Sequence, residues 1–248
     1  MRISLVAVLL GAVSFFSRAA VAVEPPKLIT TSPDFWATNI NAASQRVVSL
    51  TFDQTMRPGN SAWLGRSSLS PEVNLDTLVS DDRKTFKLNV RLQPGKVYVF
   101  GLNEKGLPGV GFQNDYGISL PPHFLVFQTI GNPSAEDAPP KVVRTTPGNG
   151  SNQVDPLLTK SLVIQFDKPM RTAKHGLQLF ENNNRIDVAK FPGQYSPDGR
   201  TFTFPYNFKP LTQYVLEFNG VQNIGFVSSN RVPLWPVRMR FATGPLRQ

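Results

Sequence analysis

The 248-residue chain has no cysteine and only two histidines, His123 and His175. No disulfide can staple it, and neither a thiol nucleophile nor a Cys-based zinc site can be built. Two histidines alone do not make a His-rich metal cluster. Acids are outnumbered: 17 Asp plus Glu face 26 Lys plus Arg, for a formal charge of +9. Long apolar runs are also missing. The one apolar stretch, Ile3 to Phe16, is shorter than the roughly 20 residues that a membrane-spanning helix needs. No stretch keeps a helical period over three turns. What the chain does have is 22 Pro, 18 Gly and 18 Phe in a sequence 40% apolar and 17% charged. That is the composition of a globular protein rich in strands and turns.

Met1-Arg2, the apolar run and Ser17-Arg18-Ala19-Ala20-Val21-Ala22 have the order of a charged, an apolar and a small-residue region. They predict a signal peptide over residues 1–22, cleaved after the A-x-A pattern. No cysteine follows to carry a lipid. The mature chain would begin at Val23 and carry +7 over 226 residues, with no further segment of transmembrane length. The expected location is periplasmic, secreted or at the cell surface. Nucleic acid is not met there. The positive surplus would instead attract an envelope protein or an anionic glycan or lipid surface.

The rest of the chain repeats itself. Pro25-Pro26-Lys27-Leu28-Ile29-Thr30-Thr31-Ser32-Pro33 returns as Pro139-Pro140-Lys141-Val142-Val143-Arg144-Thr145-Thr146-Pro147, an offset of 114. The same offset aligns Phe52-Asp53-Gln54-Thr55-Met56-Arg57 with Phe166-Asp167-Lys168-Pro169-Met170-Arg171. An offset of 116 aligns Ser80–Phe86 with Ser196–Phe202, and Pro94, Tyr98 and Asn103 with Pro210, Tyr214 and Asn219. Phe127-Gln128-Thr129 and Phe241-Ala242-Thr243 return to 114. The expected organisation is one unit over 23–130, a linker over 131–138 and a second unit over 139–248. A linker this short limits the mutual orientations of the units.

Within each unit the apolar residues alternate. Val48, Leu50 and Phe52, then Phe86, Leu88 and Val90, face one way; Leu162, Ile164 and Phe166, then Phe202 and Phe204, repeat the pattern. Period two marks strands with one buried face. Turn signals such as Ser196-Pro197-Asp198-Gly199 and Pro94-Gly95 separate them. Short strands in a unit of about a hundred residues predict an antiparallel β-sandwich. A Tyr four residues after a Pro at a strand start, Tyr98 and again Tyr214, predicts a tyrosine corner, its hydroxyl bonding to nearby backbone.

These residues carry a family resemblance. The Pro-Pro start, the Phe-Asp-x-x-Met strand end, the Asp-Gly-Arg-Thr-Phe hairpin, the Pro-x-x-x-Tyr strand and the closing Phe-x-Thr resemble the bacterial Ig-like domain of the S-layer protein type. The second copy matches from Pro139 to Thr243. The first departs between Gly59 and Val79, where Trp63 and Ser70-Pro71-Glu72 stand. The resemblance implies an all-β protein of two tandem antiparallel Ig-like β-sandwiches after the signal peptide. It implies a spacer, interaction or surface-display role and no catalytic residue.

No motif argues against that. G-x-S-x-G and the P-loop are absent, neither histidine sits in a motif, and both read as solvated. Gly106–Gly111 lacks the strand-to-helix context of a dinucleotide site. Asp53 and Asp167 read as acceptors of backbone N–H groups at strand ends, since a calcium site needs six or more oxygens. No enzyme activity, cofactor or metal is expected. Of Trp36, Trp63 and Trp235, Trp63 is the candidate for stacking on a ligand, because it lies in the segment unique to the first copy. The net charge divides unevenly: +1 over 23–130, −2 in the linker and +8 over 139–248. Arg231, Arg238 and Arg240 are therefore candidate contacts for an anionic partner. In Val237-Arg238-Met239-Arg240-Phe241 the arginines alternate outward. Two readings stand side by side: protection of an edge strand, and a basic stripe for an envelope polymer. The overall expectation is an exported, non-catalytic spacer or interaction protein of the bacterial envelope. A periplasmic chaperone or assembly factor, or an accessory to an exported enzyme, are the alternatives.

Overall fold

The computed structural model describes residues 24–59, 63–65, 69–103 and 111–246. The expected signal peptide lies outside them. The first half holds β1 (Leu28–Ser32), β2 (Ala37–Ile40), β3 (Val47–Phe52), β4 (Trp63–Gly65), β5 (Glu72–Val79), β6 (Thr85–Arg91), β7 (Val97–Leu102) and β8 (His123–Thr129). The second holds β9 (Val142–Thr146), β10 (Ser161–Phe166), β11 (Leu177–Glu181), β12 (Asn184–Ile186), β13 (Gln194–Tyr195), β14 (Thr201–Pro205), β15 (Gln213–Phe218) and β16 (Val237–Ala242). The described residues contain no α-helix, and a 3-10 turn spans Val188–Lys190.

Each half forms two four-stranded sheets, β1-β3-β6-β5 with β2-β8-β7-β4, and β9-β10-β14-β13 with β16-β15-β11-β12. The pairings are antiparallel except where β2 runs parallel to β8. In the second half that strand shrinks to one parallel bridge, Val154 with Thr243. The alternation read from sequence sets the cores. Val48, Leu50, Phe52, Phe86 and Leu88 meet Tyr98, Phe100, Leu125 and Phe127 inside the first sandwich. Leu162, Ile164, Phe166, Phe202 and Phe204 meet Tyr214, Leu216, Phe218 and Phe241 inside the second. Each such side chain contributes roughly 1.5–3 kcal/mol by leaving water.

The polar residues shared by the copies fasten the same joints twice. The Tyr98 hydroxyl accepts the Gln93 N–H at 2.8 Å, and Tyr214 accepts that of Lys209 at 2.7 Å. Both tyrosine corners are therefore present. Asp53 and Asp167 accept the Lys27 and Lys141 N–H groups at 2.8 and 2.7 Å, tying the first strand of each sandwich to the strand beside it. Asn103 and Asn219 adopt a left-handed backbone, φ 51° and 57°. The amide of Asn103 donates to the Phe112 and Leu120 carbonyls, and that of Asn219 to those of Phe226 and Leu234.

The histidines differ from expectation. His175 is half-buried, with its ring centred 5.1 Å from that of Phe202 and 6.3 Å from that of Phe226. Burial lowers its pKa from 6.5, and Nδ1 has no hydrogen-bond partner. His123 is also half-buried, its Nδ1 2.7 Å from the Pro121 carbonyl. A loop position alone does not expose a side chain when aromatic residues from distant strands converge on it.

Candidate functional site

The two sandwiches use one face differently. In the first, Val97 and Val99 of β7 and Phe124 and Val126 of β8 point away from the sandwich core, yet all four are buried. They pack against Ile224 and Val232 of the second sandwich, together with Leu69. Trp36 and Trp235 close the contact edge to face, with ring centroids 5.5 Å apart and planes at 71°. The Trp235 Nε1–H donates to the Trp36 carbonyl at 3.1 Å, and the Phe124 N–H donates to the Val221 carbonyl at 2.7 Å. The linker is fastened as well: Lys96 pairs with Asp137 at 2.5 Å, and Lys168 donates to the Ala135 and Ala138 carbonyls. Trp36 and Trp235 thus serve the joint between sandwiches, outside either sandwich core.

The equivalent face of the second sandwich carries polar residues. By register, Val97 and Val99 correspond to Gln213 and Val215, and Phe124 and Val126 to Arg238 and Arg240. Trp36 corresponds to Gly150: both N–H groups donate to the β8 or β16 carbonyl, Val126 at 2.6 Å and Arg240 at 2.7 Å. Both positions have positive φ, 61° at Trp36 and 79° at Gly150. A Cβ-bearing residue pays conformational strain there, and Trp36 holds it through the interface. With glycine in the second copy the indole is missing. A hollow of about 370 Å³ is left over β15 and β16, lined by Gly150, Gln213, Val215, Arg238 and Arg240 among others.

Arg238 and Arg240 are exposed and flank the buried Met239, as the alternation predicts. Arg238 Nε lies 3.3 Å from Glu217 Oε1, a pair too exposed to add much stability. The edge of β16 is partly covered, because Gly150 N–H donates to the Arg240 carbonyl and the Ala242 N–H to Ser151. Edge protection therefore comes partly from this segment and not from charge alone. Arg231 lies elsewhere, exposed on the turn after Ser228, beside Asn230, whose amide reaches the Glu136 carbonyl of the linker. It lines neither the hollow nor the groove described next. Trp63 opens β4, paired with Leu102 of β7; its side chain is outside what the structure describes.

A second opening, a groove of about 820 Å³, runs between β9 and β16. Val142, Leu234, Trp235 and Met239 give it an apolar floor, and Lys141, Arg144 and Arg238 are its charged lining. Sequence reading missed Lys141 and Arg144. For Arg144 the available signal was the difference between copies, since Thr30 stands at its position in the first; Lys141 has Lys27 as its counterpart and carried no such signal.

One buried carboxylate has a structural role. Glu181 accepts from Tyr206 at 2.7 Å, Tyr214 at 3.2 Å and Lys209 at 2.5 Å. Burial raises its pKa, but the bonds from Lys209 and the two tyrosines outweigh this and hold it below the usual carboxylate range. With every oxygen engaged, it is not available as an acid or base. Among the described residues, no group of three or more His, Asp and Glu could hold a metal, and no helix is long and apolar enough to cross a membrane.

Among solved structures, CopC from Methylosinus trichosporium OB3b is similar at 12% identity over 44% of this chain and 97% of its own, with a TM-score of 0.35. An I-band fragment of titin is similar at 12% identity over 90% of this chain and 66% of its own, with a TM-score of 0.25. No curated protein matches the sequence. Residues 136–232, most of the second sandwich, match the family model of a bacterial Ig-like domain.

Proposed function

We propose that this is an exported, non-catalytic spacer and interaction protein of the bacterial envelope, whose second Ig-like sandwich contacts an anionic partner. Its tandem units would span 23–130 and 139–248 around the 131–138 linker, after removal of residues 1–22. The observation that carries the reading is the face bearing Arg238 and Arg240. The first sandwich uses that same face for a protein contact, while the second leaves it exposed and basic. Attraction of this kind is long-ranged and weakens with salt. Retention of the chain on dextran sulfate tests it. Arg238→Gln/Arg240→Gln is expected to elute at clearly lower salt than the parent, with Arg231→Gln changing little. Equal elution of the parent and the double variant would remove the reading.

A further inference from the structure

Each sandwich has the same groove between the edge strand of one sheet and the closing strand of the other. In the first sandwich it lies between β1 and β8, has about 380 Å³, and is lined by Lys27, Leu28, Pro121 and His123. Gln222 of the second sandwich also lines it. The residue before, Val221, places its carbonyl 2.7 Å from the Phe124 N–H on the β8 edge. Beside the first groove, β8 thus already accepts backbone from outside its own sandwich through a main-chain hydrogen bond.

The second groove has the counterparts Lys141, Val142, Trp235 and Val237 in its lining and more than twice the volume. Arg238 takes the place of Phe124. On β16, Arg240 and Ala242 turn their backbone groups outward to the Asn149–Val154 segment. Strand alternation gives Arg238 the same direction, one step beyond the reach of that segment. On the other side, β9 is the end strand of its sheet. Val143 and Arg144 of β9 are exposed. No Asp or Glu lines the groove.

We infer that the β9–β16 groove captures an extended, acidic segment of a partner polypeptide by strand addition. A backbone carbonyl of the segment takes the Arg238 N–H, apolar side chains rest on Val142 and Trp235, and carboxylates meet Lys141, Arg144 and Arg238. Charge complementarity selects the occupant. A second copy of this chain is itself basic, and the arginines at the edge repel it. The inference rests on the reading of an exported interaction protein and names its partner as polypeptide.

The test is fluorescence anisotropy with the full chain and a labelled peptide of about eight residues alternating Val and Glu, long enough to span the edge. A second peptide carries N-methyl groups on alternate backbone nitrogens, and dextran sulfate reports charge alone. Saturable binding is expected, weakened at least about tenfold by N-methylation and by Arg144→Glu/Arg238→Glu. The variant is checked for an unchanged melting curve, and Lys141→Glu provides a second, milder substitution in the same lining. Binding of the N-methylated peptide within about twofold of its parent overturns strand addition. Dextran sulfate binding without peptide binding overturns this inference and leaves the anionic-partner reading standing. Binding of neither overturns both.

Discussion

His175 shows how a single side chain acquires a property from residues far away in sequence. Phe202, Phe204 and Phe226 surround its ring, and burial disfavours its charged form. The unfolded chain binds a proton at this site as pH falls through 6.5, while the folded chain resists it. The neutral histidine therefore supports the fold above pH 6.5, and that support is lost as pH falls toward the lowered folded-state value. His175→Phe, which keeps an aromatic ring in the pocket, is expected to flatten the stability profile as pH falls below 6.5. Urea midpoints measured across that range check it; a slope equal to that of the parent would assign the acid sensitivity elsewhere. In sequence His175 was indistinguishable from a solvated loop residue. Its neighbours come from β14 and the loop after β15, which nothing in its own segment specifies.

The tyrosine corners join strands, and here sequence was a good guide. A phenol at fixed distance from a Pro can reach the backbone at the strand's start, so Tyr98 and Tyr214 were legible from spacing alone. What spacing did not reveal is the carboxylate beneath the second. Burial, followed by the negative charge of Glu181, pushes the Tyr214 pKa up to about 12. Tyr214 makes two bonds, one to the Lys209 N–H and one to Glu181, where Tyr98 makes the single bond to Gln93. Tyr98→Phe is expected to cost about 1 kcal/mol and Tyr214→Phe about 1–2 kcal/mol, the larger loss coming from a buried acceptor left short of a donor. Denaturant unfolding of both variants checks the ordering; equal losses would show that Glu181 draws nothing from Tyr214. The strands themselves follow the same logic. β3, β6, β10 and β14 alternate because one face is buried, whereas β7 is buried along its whole length because its outer face also has a cover.

How the two sandwiches meet depends on four apolar side chains of the first, Val97, Val99, Phe124 and Val126. Their counterparts include Arg238 and Arg240, which remain solvated on a sandwich of the same design. Phe124→Arg/Val126→Arg therefore converts the first face into the second without touching the core between its own sheets. Two buried guanidinium groups without partners cost several kcal/mol, so the expected response is separation of the sandwiches, not their unfolding. Small-angle scattering should show a larger radius of gyration, and calorimetry should resolve two transitions. An unchanged scattering profile would mean that the linker contacts of Lys96 and Lys168 hold the arrangement by themselves. The same comparison bears on the basic surplus of the second half. Part of it, Arg238 and Arg240, stands where the first half has interface, so charge asymmetry and joint geometry have a common origin.

The sequence alone determined the repeat, the alternating strands β3, β6, β10 and β14 with their inward-facing residues, and the corner tyrosines, because each depends on local periodicity or short spacing repeated at a nearly constant offset. It also located the positive charge in the second copy. Only the tertiary structure decided which outer face is covered and which is open, that Trp36 and Trp235 form a joint, and that Lys141 and Arg144 share a groove with Arg238. Those results depend on packing between segments on the order of a hundred residues apart, and strand alternation records which residues share a face but not what lies against it.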